Sequence, residues 1–312
     1  MPDHPDFPAP AYPASAYPTL AYLDWADSKD SLHLFLQIIG KVRLKAHPKL
    51  NHWWHVTLYP VPRGLTTGRI PQGSSGFEIR YDLLEHGVRV TRDDGREVAF
   101  PVVGKTVAAF HETLFAALAE LGFRVAILAR PYENKSTTPF AEDRAPRAYD
   151  PAAVTRYWQA LCGIQGIFER WRGRFVGKQT PVHLFWHSFD LVVTRFSGHA
   201  HPLEGARTQS DREAYSHEVI SVGFWPGDDS FPEAAFYGYA YPEPEGLGTT
   251  GLRPAEAGWS EKNGGALAIY RYDDFRASAD PAGELLAFLE SVYQAAGTKA
   301  AWPLEELRHR YL

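Results

Sequence analysis

Two stretches of this chain carry one spacing. Trp54-His55 is followed eight residues after the histidine by Arg63, and Trp186-His187 is followed eight residues after the histidine by Arg195. Each run is preceded by an apolar helical pattern that stops at a Gly-Lys pair, Gly40-Lys41 and Gly177-Lys178, and each leads to a small-residue turn, Thr67-Gly68 and Ser197-Gly198. Internal similarity constrains a fold more than any local propensity, because it implies two related halves with a shared surface between them.

Helical and strand patterns recur in the same order on both sides of the middle. Leu32, Phe35, Leu36, Ile39 and Val42 form an apolar stripe, and Val107, Phe110, Leu114, Leu118 and Leu121 form a second one ended by Gly122. Between them, 51–59 reads as a strand, and 77–84, 88–91 and 97–102 read as strands in tight hairpins. His86-Gly87 and Asp93-Asp94-Gly95 supply the turns, since Gly takes positive φ without strain. Residues 123–129 read as a further strand. In the second half Asp150-Pro151 and Asp280-Pro281 are helix starts, a capping carboxylate followed by proline. Strands are expected at 182–196, 215–225, 234–241 and 267–272.

The expected fold is α+β: antiparallel sheets packed on helices, as a tandem duplication of an α-β-β-β-β-α unit. The expected divisions are a flexible Pro/Ala-rich segment 1–22, an N-terminal half 23–148 ending in a linker, and a C-terminal half 149–312.

The 312 residues are 45% hydrophobic and 22% charged, enough apolar material for a sizeable core. A net charge of −5 without a basic stripe argues against nucleic acid. No stretch approaches the roughly 20 apolar residues of a membrane helix, and no signal-peptide pattern opens the chain, so a cytoplasmic location is expected. One cysteine, Cys162, rules out an internal disulfide and reads as a small core residue.

Several phrases are long and unusual: Asn51-His52-Trp53-Trp54-His55-Val56, Arg63-Gly64-Leu65-Thr66-Thr67, Ser188-Phe189-Asp190-Leu191, Thr194-Arg195-Phe196-Ser197-Gly198, Ala214-Tyr215-Ser216-His217-Glu218-Val219 and Tyr239-Ala240-Tyr241-Pro242. Together they resemble an uncharacterised bacterial family, a domain of unknown function, from about Trp25 to the last helix. That resemblance implies no activity, substrate or cofactor.

Candidate chemistry comes from side-chain spacing. His183 and His187 would share a strand face about 13 Å apart, too far for one ion. No His-Glu-x-x-His helix or carboxylate cluster appears, so no metal site is expected, although His187, His217 and Glu218 could meet across strands. The same three residues are the candidate catalytic groups of a hydrolase or metal-dependent enzyme. No Gly-x-Ser-x-Gly turn supports a serine nucleophile, and Ser216 and His217 point to opposite faces.

The expectation the residues favour is a small molecule in an aromatic, histidine-containing groove between the halves. His55, Arg63, Asp190, Arg195, Tyr215 and Tyr239 are its candidate binding residues. Tyr237, Tyr239 and Tyr241 would present a row of phenols. The alternative is a non-catalytic scaffold whose polar network joins the halves. No cofactor or oligomeric state is implied.

Overall fold

A computed structural model describes residues 17–201, 205, 208–262 and 264–309. Among these residues the chain is α+β, with six α-helices and two antiparallel six-stranded sheets. The N-terminal half runs α1 (Ala26–Ala46), β1 (Tyr59–Val61), β2 (Gly64–Thr66), β3 (Ile70–Gln72), β4 (Ser75–Asp82), β5 (Gly87–Arg92), β6 (Glu97–Pro101) and α2 (Val107–Glu120). The C-terminal half runs α3 (Pro151–Arg172), β7 (His183–Phe185), β8 (Asp190–Ala200), α4 (Gln209–Ala214), β9 (His217–Trp225), β10 (Ala235–Tyr241), β11 (Gly258–Lys262), β12 (Gly265–Arg271), α5 (Tyr272–Ala277) and α6 (Pro281–Lys299).

The first sheet has the order β1-β2-β4-β5-β6, with β3 also on β4. The second has the order β11-β12-β10-β9-β8-β7. Their edges meet where Leu58 and Leu184 exchange both backbone hydrogen bonds, at 2.9 and 2.8 Å. One hydrophobic cluster spans both halves, from Leu34 and Phe77 to Phe224 and Val292.

Helix starts follow the sequence signals. Thr106, Asp150 and Asp280 each accept a first-turn N–H, at 3.1, 2.9 and 3.0 Å. The first helix is not the amphipathic surface helix its stripe suggests. Every residue of α1 from Ser31 to Arg43 is buried, because sheets and helices of both halves surround it. Polar side chains on a helix so placed need partners within the protein: Gln37 and His33 find them, and the terminal nitrogens of Arg43 donate to the Thr67 carbonyl and the Tyr59 hydroxyl.

Other expectations are corrected. Residues 51–59 do not form one strand: Asn51–Trp53 is a 3-10 turn with His52 and Trp53 at φ 52° and 60°, pairing begins with the Leu58–Leu184 bridge, and β1 starts at Tyr59. The long strand expected at 182–196 breaks into the β7–β8 hairpin, with Phe189 at φ 64° donating its N–H to the Phe185 carbonyl. Residues 123–129 lie outside both sheets, while 64–76 hold β2 and β3.

The expected linker is packed: Phe140 is fully buried and the Ser31 hydroxyl donates to the Ala148 carbonyl at 2.6 Å. Residues 1–16 of the expected flexible segment lie outside the described residues. Tyr17, Leu20 and Tyr22 are buried, Tyr17 lying edge-on to Phe275. Cys162 is exposed on α3 rather than in the core.

The paired spacing falls at different places in the two halves. Trp54-His55 precedes β1, whereas Trp186-His187 follows β7. Arg63 is in the β1–β2 turn, whereas Arg195 is in mid-β8. Neither half is the expected helix, four strands and helix: the first has six strands between α1 and α2, and in the second α4 interrupts six strands that α5 and α6 follow, and the four marked residues do not occupy matching positions.

Candidate ligand-binding cavity

Strand alternation gives the second sheet two faces. Leu191, Val193, Ile220, Val222, Phe224, Phe236 and Gly238 face the helices; Gly238 lies against Val292 of α6. The other face carries rows fixed by the register: Val192–Gly223–Tyr237 and Thr194–Ser221–Tyr239, with Phe196 beside Val219. This face is the floor of a cavity of about 1000 Å³. The walls come from both halves: Lys41, Leu44 and Lys45 of α1, the turn His52–Trp54, residues 126–128, Tyr132 and Glu133, and residues 208–215 around α4.

Polar groups on the floor are partnered. Asp190 accepts hydrogen bonds from the Ser188 and Tyr237 hydroxyls. Thr194 and Ser221 hydroxyls lie 2.9 Å apart, and those of Tyr215 and Tyr239 lie 3.0 Å apart. The Tyr237 and Tyr239 rings stack at 6.3 Å. Gly223 makes this possible, because a Cβ there would overlap the Tyr237 ring that leans across it toward Asp190. Burial raises the Asp190 carboxyl above its ordinary value, with Ser188 and Tyr237 opposing it. Burial also holds the Tyr237 and Tyr239 phenols well above theirs, so both remain protonated donors.

The roof is tied to α1. Gln37 donates to the Tyr132 carbonyl at 2.8 Å and accepts the Tyr132 N–H at 2.9 Å. One turn earlier, His33 Nε2 donates to the His187 carbonyl at 2.9 Å while its Nδ1 accepts from Asn134 at 3.3 Å. Burial pulls His33 down to about 4, which keeps the ring neutral and fits that tautomer. Glu133, at φ 49°, then meets His187 Nδ1 at 2.9 Å. That contact holds its carboxyl below the usual range. Lys135 completes the tie with Asp30 at 2.6 Å.

At one corner Lys178 donates to His52 Nε2 at 2.6 Å and lies over Trp54 and Phe196. A lysine ammonium only donates, so His52 is left to donate from Nδ1, where the Glu213 carbonyl stands at 3.2 Å. Behind it Ser216 Oγ sits 3.1 Å from His217 Nδ1: the two side chains meet instead of diverging, because β9 begins only at His217 and strand alternation does not extend to Ser216.

Four of the nine expected site residues line the cavity: His187, Asp190, Tyr215 and Tyr239. Five do not. Arg195 points to the helix face and is 1% exposed. Its guanidinium lies 3.4 Å from the Trp171 ring centre and 4.4 Å from that of Tyr293, and it donates to the Trp171 carbonyl at 2.6 Å. Burial brings it down to about 10, so it stays a cation in an aromatic cage. Arg63 is a solvent-facing turn residue bound to Asp82 and Glu85, each at 2.7 Å. His55 is buried against Trp53, and its Nδ1 accepts the Leu50 N–H at 3.3 Å.

His217 pairs in register with Ala200, at the far end of β8 from Asp190 and the His187 turn, on the order of 30 Å away by strand rise. Glu218 turns to His199, at 3.5 Å. The three candidate catalytic residues therefore do not form one site. Among the described residues no group of three or more His, Cys, Asp or Glu side chains is placed to hold a metal ion. No described helix is long and apolar enough to cross a membrane.

Sequence reasoning missed Lys41, Trp53, Ser221, Tyr132 and Glu133 as cavity residues. The first three carry no local signal. Tyr132 and Glu133 lie in the segment read as a linker.

The fold and cavity define an α+β protein with a roofed pocket between its halves. The chain belongs to the Family of unknown function (DUF5996), whose profile matches residues 17–309. No curated protein and no solved structure matches it.

Proposed function

We propose that this protein binds a small organic molecule in the cavity between its halves. The observation that carries the reading is the floor of β8, β9 and β10, where Asp190, Thr194, Ser221 and Tyr239 converge beneath aromatic walls in a space of about 1000 Å³. Known ligand pockets are about 300–1,000 Å³, mostly apolar, with a few placed polar groups. The roof over this floor costs buried polar backbone, which Gln37 and His33 satisfy one bond at a time.

The test is a plug. Thr194→Phe projects a ring from the floor into the void. Binding of the neutral fluorescent probe N-phenyl-1-naphthylamine is expected to be saturable in the wild type and weakened about tenfold or more in the variant. Equal binding by a folded Thr194→Phe protein would overturn the reading.

A further inference from the structure

We propose that the ligand of this cavity is an amphipathic organic anion whose acidic group pairs with Lys41; this rests on the binding reading above. The charges around the cavity are unevenly compensated. Asp190 takes hydrogen bonds from Ser188 and Tyr237, Glu133 is held by His187, and Asp211 accepts the Thr208 N–H in a capping box. Each acid has its partner within the protein.

Lys41 does not. The residue is 6% exposed and lines the cavity, its ammonium not fully buried, and among the described residues it makes no hydrogen bond or ion pair and feels no neighbouring charge of opposite sign. Its contact is with the Trp186 ring, 5.4 Å from the nitrogen. A ring face compensates a buried cation only in part. Trp186 is itself pressed onto α1 because residue 40 is glycine; a Cβ there would overlap the indole. Lys45, one helical turn on, lines the same wall and also lacks a carboxylate partner among the described residues.

Two cations on one helix face repel each other, and a buried one is costly without a counter-charge. An anion arriving from the cavity would supply that counter-charge to both. The rest of the lining then defines the ligand body: Trp53, Trp54, Phe185 and Phe196 offer apolar surface. Burial alone pulls the Lys41 amine below its ordinary value, with no nearby charge opposing it. A bound anion would reverse that shift.

The experiment compares two probes of similar shape. One is 8-anilinonaphthalene-1-sulfonate, an aromatic anion, and the other is neutral N-phenyl-1-naphthylamine. Lys41→Met is expected to weaken the anion about tenfold and the neutral probe less than about twofold, while Lys41→Arg retains the anion. Lys41→Met should melt no lower than the wild type, since it removes an uncompensated buried charge and keeps the stem, so misfolding is separable from lost binding.

Displacement of the anionic probe by 1-naphthoate or 1-naphthyl phosphate, but not by 1-naphthylmethanol, supports the proposal, and the stronger competitor tells carboxylate from phosphate. An equal effect of Lys41→Met on both probes, or equal displacement by all three competitors, overturns it. If Thr194→Phe leaves both probes unaffected, the cavity reading fails instead.

Discussion

Both sheets bury one face against helices, and they diverge in what covers the other. In the first sheet Phe77, Ile79, Tyr81, Val88 and Val90 pack inward, toward rings such as Phe123 and Tyr149. The opposite face is a solvated lattice of ion pairs, with Arg89 bound to Glu97 at 2.7 Å and Arg80 to Glu78 at 3.4 Å. The second sheet puts hydroxyls, phenols and one carboxylate on that face, with α1, residues 126–133 and α4 around it. A charged face serves an antiparallel sheet exposed to water. A face of neutral donors and acceptors can be roofed, because each group can be satisfied without ionic hydration. The same architecture thus yields a plain surface in one half and a cavity in the other.

The largest break in that comparison comes from the two arginines that share a spacing. Arg195→Ala removes a side chain packed among Trp171, Phe175 and Tyr293 and should cost about 3 kcal/mol in urea unfolding. Arg195→Met keeps most of the volume and drops the charge, and should be close to neutral. Arg63→Ala, in an exposed turn, should leave the unfolding midpoint within error. Neither Arg195→Met nor Arg63→Ala should alter probe binding, since neither residue lines the cavity. A large probe effect from Arg195→Met would mean that the two faces of the second sheet are not separated as described.

A smaller effect is expected at the roof. Gln37→Leu removes both hydrogen bonds that hold Tyr132. Two such bonds are worth about 1–2 kcal/mol net, so amide exchange at Tyr132 should quicken by about tenfold. Core amides of the first sheet should be unaffected. Uniform acceleration in both sheets would show that α1, not the loop, had been loosened.

How much of this was legible depended on whether a signal was local. Caps and hairpins are local, so Asp150-Pro151, Asp280-Pro281 and the turn at Gly95 could be read directly, whereas in the first hairpin His86, at φ 53°, takes the turn conformation and Gly87 already belongs to β5. The phenol row on β10 could be read too, because alternation alone places Tyr237 and Tyr239 on one face. The break at Phe189 could not: a phenylalanine at positive φ is held there by its surroundings, and nothing in the run Trp186-His187-Ser188 marks a turn. Lys41 reads as one more charge at a helix end; only the packing of both halves around α1 buries it. Arg195 was placed on the correct strand, but which face met helices and which met the cavity depended on tertiary partners.

The smallest effect sharpens the comparison through two buried carboxylates, one per half. Asp82 ends β4 and accepts the N–H groups of Leu84 and Glu85, at 2.9 and 2.8 Å, and Arg63. Burial alone would raise it, but those donors outweigh burial and hold it below 3.8. Asp190 begins β8, and there burial wins and holds it above 3.8. The unfolded value near 3.8 is common to both, so their linkage to pH has opposite sign. Asp82 contributes stability that is present above 3.8 and is lost as pH falls through its lower folded value. Asp190 favours the fold below 3.8, and that contribution is lost as pH rises through its higher folded value. Urea midpoints between about pH 3 and 6 should therefore show the wild-type advantage over Asp82→Asn growing with pH. The advantage over Asp190→Asn should shrink, each slope staying under about 1.4 kcal/mol per pH unit. Two slopes of one sign would mean that the Ser188 and Tyr237 hydrogen bonds dominate burial at Asp190, making the cavity floor electrostatically like the turn in the first half.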